Sequence, residues 1–156
     1  MKRLFLIIGM ILIFATSAFG AVGTVTITED KIVIEGKHSK KIITLTCVGG
    51  TGAETGTVPN VVLPANIVKG WYPMGAETTP GLTAPDNNYD IVINDAAGVD
   101  IAGSLLMNRS STVPQLVNLG MSPYAFLPVT GALTIVHSNQ TAASATWTLI
   151  LTFVSE

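Results

Sequence analysis

The chain is short of charge. Only 12% of its 156 residues are Asp, Glu, Lys or Arg, about half the usual share. Helical proteins normally expose Glu and Lys, and disordered chains are rich in charge, so this composition argues against both classes. The formal net charge is -2, and the basic cluster from Lys37 to Lys41 is interrupted by His38 and Ser39. Nucleic-acid binding needs a broader positive surface, so we expect no nucleic-acid partner.

Cysteine is almost absent. Cys47 is the one cysteine of the chain, so no intramolecular disulfide can form. It lies in an apolar strand-like run, where a free thiol usually behaves as a small buried hydrophobic group. We expect Cys47 to be structural, and a reactive or cross-linking thiol is the alternative.

Catalytic motifs are also missing. His38 and His137 stand alone, no Gly-x-Ser-x-Gly sequence occurs, and no pair of histidines has metal-ligand spacing. The glycine-dense stretch from Gly49 to Gly56 matches neither common phosphate-binding fingerprint, because no Lys-Ser or Lys-Thr follows it and no helix begins after it. The chain is therefore predicted to be non-enzymatic, with no catalytic residue, no cofactor-binding residue and no cofactor.

What the chain has in quantity is apolar residues alternating with threonine. The alternation is clear in Thr24–Thr28, in Lys41–Val48 and in Thr146–Phe153, and it is typical of strands with one buried face. Roughly eight to ten strand-like runs follow at the spacing of a sandwich or barrel. The predicted fold class is all-β, an antiparallel β-sandwich, jelly-roll-like or immunoglobulin-like, formed by residues 21–156 as one domain.

Several local structures follow from turn chemistry. The stretch from Asn88 to Gly103 is predicted to be a β-hairpin, in which Asp95 begins the turn and Gly98 takes the positive φ that closes it. Glu29-Asp30 is predicted to be a turn before a second short strand, Lys31 to Glu35. The final runs, Gly131–His137 and Ser144–Phe153, are predicted to form an antiparallel pair.

Two segments are less regular. Pro59, Pro64 and Pro73 break the region from 57 to 79, which confines its strands to sheet edges or bulges. Val113–Leu119 is interpreted either as a helical turn or as an extended loop. Trp71, followed by a tyrosine, invites a carbohydrate-platform interpretation, but we favour a tryptophan that anchors the core.

The N-terminal residues 1–20 differ from the rest. A basic pair precedes an apolar run from Leu4 to Ala15, and small residues follow, as in a secretory signal cleaved before Ala21. The run is short for a membrane span of about 20 residues, although a retained anchor is the alternative if the run is counted through to Val22. We expect export, with no stable membrane span once the signal is cleaved.

The best candidate metal ligands are aspartates in and before the central hairpin. They are Asp86, Asp90, Asp95 and Asp100. Calcium takes oxygen ligands that Asp- and Asn-rich loops supply. Turn formation explains the same residues without an ion, so no metal site is assigned and calcium binding stays open.

A further pattern runs through the C-terminal half. It consists of Ala84–Ile93, Asp95–Ile101, Met107–Ser110 and Pro128–Ile135. This pattern resembles small structural proteins of tailed bacteriophages. The resemblance implies a β-sandwich subunit of a virion or particle, without catalytic residues, which forms homo-oligomers or contacts other particle subunits.

The predicted export signal supports a second hypothesis. In it the chain is a periplasmic or extracellular β-sandwich that binds a polymer or a protein. Binding often depends on long loops of a β scaffold, and here these are Gly49–Gly56 and Ser104–Pro128. The two hypotheses predict different locations, the virion in the first case and the exported space in the second.

Overall fold

A computed structural model describes residues 21–33, 39–124 and 127–155 of the chain. Strands make up 45% and helices 8% of the structure, and the strands form two antiparallel sheets. The all-β prediction is therefore confirmed. The predicted signal segment, residues 1–20, and His38 lie outside the described residues.

Eight strands and one short α-helix occur in these ranges. In chain order they are β1 (Thr24–Val33), β2 (Ser39–Val48), β3 (Val61–Leu63), α1 (Ala65–Val68), β4 (Tyr72–Pro80), β5 (Asp90–Asn94), β6 (Gln115–Asn118), β7 (Leu133–Ser138) and β8 (Thr146–Ser155). The first sheet has the order β1-β2-β8-β4-β6, and the second has the order β3-β7-β5. All neighbouring strands in both sheets are antiparallel.

The two sheets share one hydrophobic core. Strands β2 and β8 pair along their whole length, from Ser39 opposite Ser155 to Val48 opposite Thr146. Because side chains alternate across a strand, every second residue is buried from Lys41 to Cys47 in β2 and from Trp147 to Phe153 in β8. The core side chains of the two sheets include Ile43, Leu45, Trp147, Leu149 and Leu151 from the first, and Ile91, Ile93, Leu133 and Ile135 from the second.

Strand β1 continues through the position predicted to be a turn. Glu29 and Asp30 are paired with β2, opposite Ile43 and Ile42. The Glu29 carboxylate lies 2.7 Å from the Lys41 Nζ, so β2 supplies a cation beside the acidic pair and the strand is not interrupted. The predicted turn is wrong. The rest of the predicted second strand, from residue 34, lies outside the described residues.

The central hairpin is confirmed at its turn and corrected in its second arm. Gly98 has a φ of 82°, and Asp95 Oδ1 accepts the backbone N–H of Val99 at 2.8 Å. Beyond the turn, a single bridge joins Asn94 to Asp100, and no strand follows before residue 107. The Asp100 carboxylate explains this, since it accepts the backbone N–H groups two and four residues later and so forms a turn in place of a strand.

The last two strands do not pair with each other. Strand β7 lies in the second sheet and β8 in the first, so the predicted antiparallel pair is wrong. Asn139 and Ser144 both adopt positive φ in the connection, which crosses from one sheet to the other. Alternation predicts which face of each strand is buried, and both strands do bury that face, but alternation does not indicate the partner strand.

Pro73 lies at a bulge of the first sheet, as the prediction of edges or bulges allows. Strand β4 has a register shift between Pro73 and Gly75, so a bulge accommodates the missing N–H of Pro73. Helix α1, between Pro64 and Gly70, was not predicted. The segment left open between helical turn and loop contains β6 instead, at an edge of the first sheet.

Candidate functional site

The outward face of the five-stranded sheet is rich in threonine, and we name it the threonine face. Four threonines stand opposite one another across four strands, in the order Thr26, Thr46, Thr148 and Thr79. Neighbouring rows contribute further threonines to the same face: Thr24, Thr28, Thr44, Thr146 and Thr152. Such side chains are about 5 Å apart across strands and about 7 Å apart along them.

The rest of the threonine face is largely apolar. Ile42, Ile150 and Val154 are half-buried there. Among the face residues whose side chains are described, the charged ones are Lys40 and Glu77. Little charge would therefore have to be desolvated if a partner covered this face.

Two strands form the edges of the five-stranded sheet in the described part of the chain, beside the threonine face. Strands β1 and β6 lie at the two ends of the five-stranded order, and β1 is 10 residues long. On β6, Leu116 is 80% exposed, opposite Glu77 of β4. An exposed edge offers unpaired backbone groups to another chain, so these edges extend the surface available for association.

Trp71 lies at one end of the first sheet. Its ring is half-buried against the core, and the Lys41 Nζ lies 4.7 Å from the ring centroid. The same ammonium pairs with Glu29 and donates to the carbonyl of Ile67. One side of the ring is thus occupied by a buried cation, which supports the core-anchor interpretation over the carbohydrate platform.

Cys47 and His137 meet inside the protein, with the Cys47 Sγ 3.9 Å from the His137 Nε2. Burial raises the pKa of the Cys47 thiol to about 12 and lowers the pKa of His137 to about 4. Both groups are therefore neutral near pH 7. A nucleophilic cysteine needs its thiolate form, so this geometry supports the structural interpretation of Cys47.

Three larger side chains surround this pair. The rings of Tyr89 and His137 each lie 5.5 Å, centroid to centroid, from the Trp147 ring. Arg109 joins Tyr89 through a β-bridge and is 8% exposed. Its Nε and Nη1, the Tyr89 hydroxyl and the Trp147 Nε1 have no hydrogen-bond partner among the described residues. Nothing in the spacing of these residues along the sequence indicated this cluster.

The four aspartates of the calcium hypothesis serve separate turns. Asp86 accepts the Thr141 hydroxyl at 2.7 Å, and this bond and the backbone bond from Thr141 hold the pKa of the Asp86 carboxyl below its ordinary value. Asp90 accepts the backbone N–H of residue 108 at 2.7 Å, and Asp95 and Asp100 bond N–H groups of their own turns. No group of three or more His, Cys, Asp or Glu residues in the described ranges could hold a metal ion.

The glycine-dense loop uses its backbone N–H groups within the protein. The N–H of Gly49 donates to the carbonyl of Ala145, and that of Gly50 donates to the carbonyl of Thr57. A phosphate-binding loop would direct these donors toward the ligand. The glycine content of this stretch predicts a flexible hairpin loop, and that prediction is wrong, because the stretch connects β2 of the first sheet to β3 of the second.

Gly56 closes that loop and gives a prediction. Its φ is 73°, and a Cβ built on it would lie 2.4 Å from the Thr141 Cα. We expect Gly56→Ala to lower the free energy of unfolding by about 2–3 kcal/mol, because a left-handed alanine and a backbone clash add together. Urea unfolding measures the loss.

Gly98→Ala is the matched control for this prediction. Gly98 also has a positive φ, 82°, but a Cβ there meets nothing within 4 Å. We expect it to cost about 1 kcal/mol, from the backbone conformation alone. Equal losses in the two variants would contradict the steric explanation.

The two predicted contact loops both lie near the connection between β7 and β8. Gly49–Gly56 packs beside Ala145, and a Cβ on Gly56 would meet the backbone of Thr141. In the other loop, the Asn108 N–H donates to the Asp90 carboxylate, which also accepts the side-chain amide of Asn139. Asn139 and Thr141 belong to the same connection, so this connection lies between the two loops.

The comparisons leave the function to be argued from these features. Neither protein families, nor curated proteins, nor solved structures gave a match to this chain. Within the described ranges, none of the helices has the length and apolar character needed to cross a membrane.

Proposed function

We propose that this protein is a non-enzymatic structural subunit that associates with copies of itself through the threonine face. In this proposal the two sheets pack as an antiparallel β-sandwich, whose inner faces form the core and whose outer face meets a partner. The observation that carries the proposal is the low charge of the threonine face, where Lys40 and Glu77 are the charged residues with described side chains.

The size of the face fits a specific contact. Four strands at about 4.8 Å spacing and nine residues of length give about 500 Å² per copy. Two such faces would bury about 1,000 Å² in total, which is about the minimum for a biological interface. Threonine contributes a methyl group for packing and a hydroxyl for hydrogen bonds across the contact, so association needs no buried ion pair.

Assembly into a virion or other particle is the form of association that the resemblance to bacteriophage structural proteins supports. Subunits of such particles commonly associate with closed symmetry. Fractionation of the source culture tests this point: we expect the protein to sediment with large particles. A soluble or envelope-bound form that begins at Ala21 would contradict particle association.

The association itself is tested with Thr148→Lys, which places a charge at the centre of the threonine face. We expect the unmodified chain to form oligomers in sedimentation-velocity experiments at micromolar concentration. The variant should dissociate at least tenfold more readily, since a desolvated unpaired charge costs several kcal/mol.

Thr112→Lys is the matched control, because Thr112 is exposed on the loop before β6. It should leave the oligomer unchanged, and circular dichroism should show the same fold in all three chains. A monomeric unmodified chain at high concentration, or equal effects of the two lysines, would contradict association through this face.

A second candidate is the exported binding module. The observation that favours it is a set of exposed apolar side chains in the predicted contact segment 104–128: Val113, Leu116, Met121 and Leu127, each at least 57% exposed. Exposed apolar groups concentrated in one segment are typical of protein contact sites. Binding of a polymer or a protein that is lost in Met121→Ser, with the oligomeric state unchanged, would support this candidate over the first, because Met121 is 77% exposed.

A further inference from the structure

A cavity of about 190 Å³ opens between the hairpin turn, strand β4 and the segment that leads into β7. Its walls are mostly apolar and come from both sheets, with Pro73 from the first sheet and Leu133 from the second. Ile101 and Val129 add to this lining. At the rim, Leu127 is 61% exposed and Tyr124 is 37% exposed, so a ligand could remove apolar surface from water there.

Among the described residues that line the cavity, Asp95 is the charged one. Its Oδ1 accepts the backbone N–H groups of Ala97 at 2.9 Å and Val99 at 2.8 Å. Its Oδ2 accepts no hydrogen bond from the described residues. The described part of the lining contains no lysine or arginine, so within it the carboxylate meets apolar walls without a counter-charge.

The chemistry of a fitting ligand follows from this lining. A carboxylate repels anions, and apolar walls do not offer the many hydrogen bonds that a sugar requires. A cation with an apolar body satisfies both features, because its ammonium pairs with Asp95 while its body covers the walls. A cavity of about 150 Å³ holds benzene, so this one admits a single ring with a short arm.

We propose that this cavity binds a small organic ammonium compound, with the ammonium on Asp95 and the apolar body against Ile101 and Leu133. The site is independent of the proposed association, because Asp95 and its neighbours belong to the hairpin turn and the β7 approach, outside the threonine face.

The test compares two probes of nearly equal size, 2-phenylethylamine and 2-phenylethanol, on the purified full chain. They differ in the ammonium and share the ring. We expect the amine to bind at least tenfold more tightly in calorimetric titrations, since a hydrogen bond to a charged group is worth about 1.5 kcal/mol or more. Shifts in the NMR signals of Thr130 and Val99 should accompany binding. Equal affinities for the two probes would overturn the proposal.

Asp95→Asn removes the negative charge of the side chain and keeps the hydrogen bonds that form the turn. Asparagine keeps an oxygen that accepts the N–H groups of the turn, so the variant should fold while its affinity for the amine falls about tenfold and its affinity for the alcohol stays the same. Asp86→Asn, which alters a carboxylate at a different turn, is the matched control and should bind both probes as the unmodified chain does. Unchanged amine binding in Asp95→Asn, or an equal loss in Asp86→Asn, would overturn the assignment to Asp95.

Discussion

Replacing Trp147 with alanine is expected to lower the free energy of unfolding by about 3–5 kcal/mol. Trp147 is 1% exposed and is the bulkiest of the fully buried side chains in the described ranges. It contacts the rings of Tyr89 and His137, which belong to the second sheet or to the segment before it. Its removal leaves a cavity where the two sheets meet, and the antiparallel strands around it can collapse only in part.

Urea unfolding of Trp147→Ala and of a surface control measures this effect. Leu82→Ala is a suitable control, because Leu82 is fully exposed and its truncation should change stability by no more than about 0.5 kcal/mol. Trp147→Phe should fall between the two, since phenylalanine keeps part of the ring contacts. A loss below about 1 kcal/mol in Trp147→Ala would mean that the two sheets do not meet around this side chain.

Lowering the pH from 6.5 to 4 is expected to destabilise the fold through His137. Burial lowers the pKa of His137 from 6.5 to about 4, so between these values the unfolded chain binds a proton that the folded chain does not. The free energy of unfolding therefore rises with pH across this window. The contribution of neutral His137 is fully present above pH 6.5 and is lost as the pH falls toward 4. The difference corresponds to about 3 kcal/mol, at about 1.4 kcal/mol for each pKa unit.

Unfolding by urea at a series of pH values tests this prediction, with His137→Asn as the comparison. The variant has no imidazole, so its stability should vary much less between pH 4 and 6.5, whatever its stability at neutral pH. The pKa of Asp86 lies below its ordinary value of 3.8, so its contribution is lost as the pH falls through that value and below. Both chains contain Asp86 and share this loss, and the difference between their profiles reports His137. Parallel pH profiles for the two chains would contradict a buried neutral His137.

The two experiments are linked. Because the His137 ring lies against Trp147, removing the indole should admit water to the imidazole and return its pKa toward 6.5. Trp147→Ala should therefore lose part of its pH dependence as well as its stability. This coupling gives a check that a uniform loosening of the fold would not reproduce.

The sequence was most informative where a local rule sufficed. Alternation along Lys41–Val48 and Thr146–Phe153 placed the core side chains of β2 and β8 correctly, because the period of two holds in any strand. Asp95 and Gly98 located the hairpin turn, since few residues satisfy its hydrogen bonds and its positive φ. The Pro73 bulge also followed from a local property, the missing N–H.

Pairing between distant segments was not available from such rules. Alternation in β7 and β8 is equally consistent with one sheet or two, and the structure places them in different sheets. Glu29-Asp30 was predicted to be a turn because the sequence alone does not show that Lys41, on the neighbouring strand, pairs with Glu29. A local reading of residue types omits such contacts.

Of the two candidate sites, the threonine face follows in part from the sequence and the cavity beside Asp95 does not. The threonine content predicted a weakly charged sheet surface, and the register then aligned Thr26, Thr46 and Thr148 in a single row. The cavity beside Asp95 could not have been predicted, because its walls come from segments far apart in the chain, including Pro73 and Leu133. Asp95 itself was considered as a calcium ligand, whereas the structure gives it apolar neighbours.

The position of β8 has a consequence for how the protein is made. It is the last of the described strands in chain order, yet it lies between β2 and β4, in the middle of the five-stranded sheet. During synthesis, the β1-β2 unit and the β4-β6 unit therefore have no common partner until β8 has emerged. Pairing across such sequence distances is slow, so the growing chain stays incompletely folded until its final strand arrives, which is the state that a secretion channel for unfolded chains would accept.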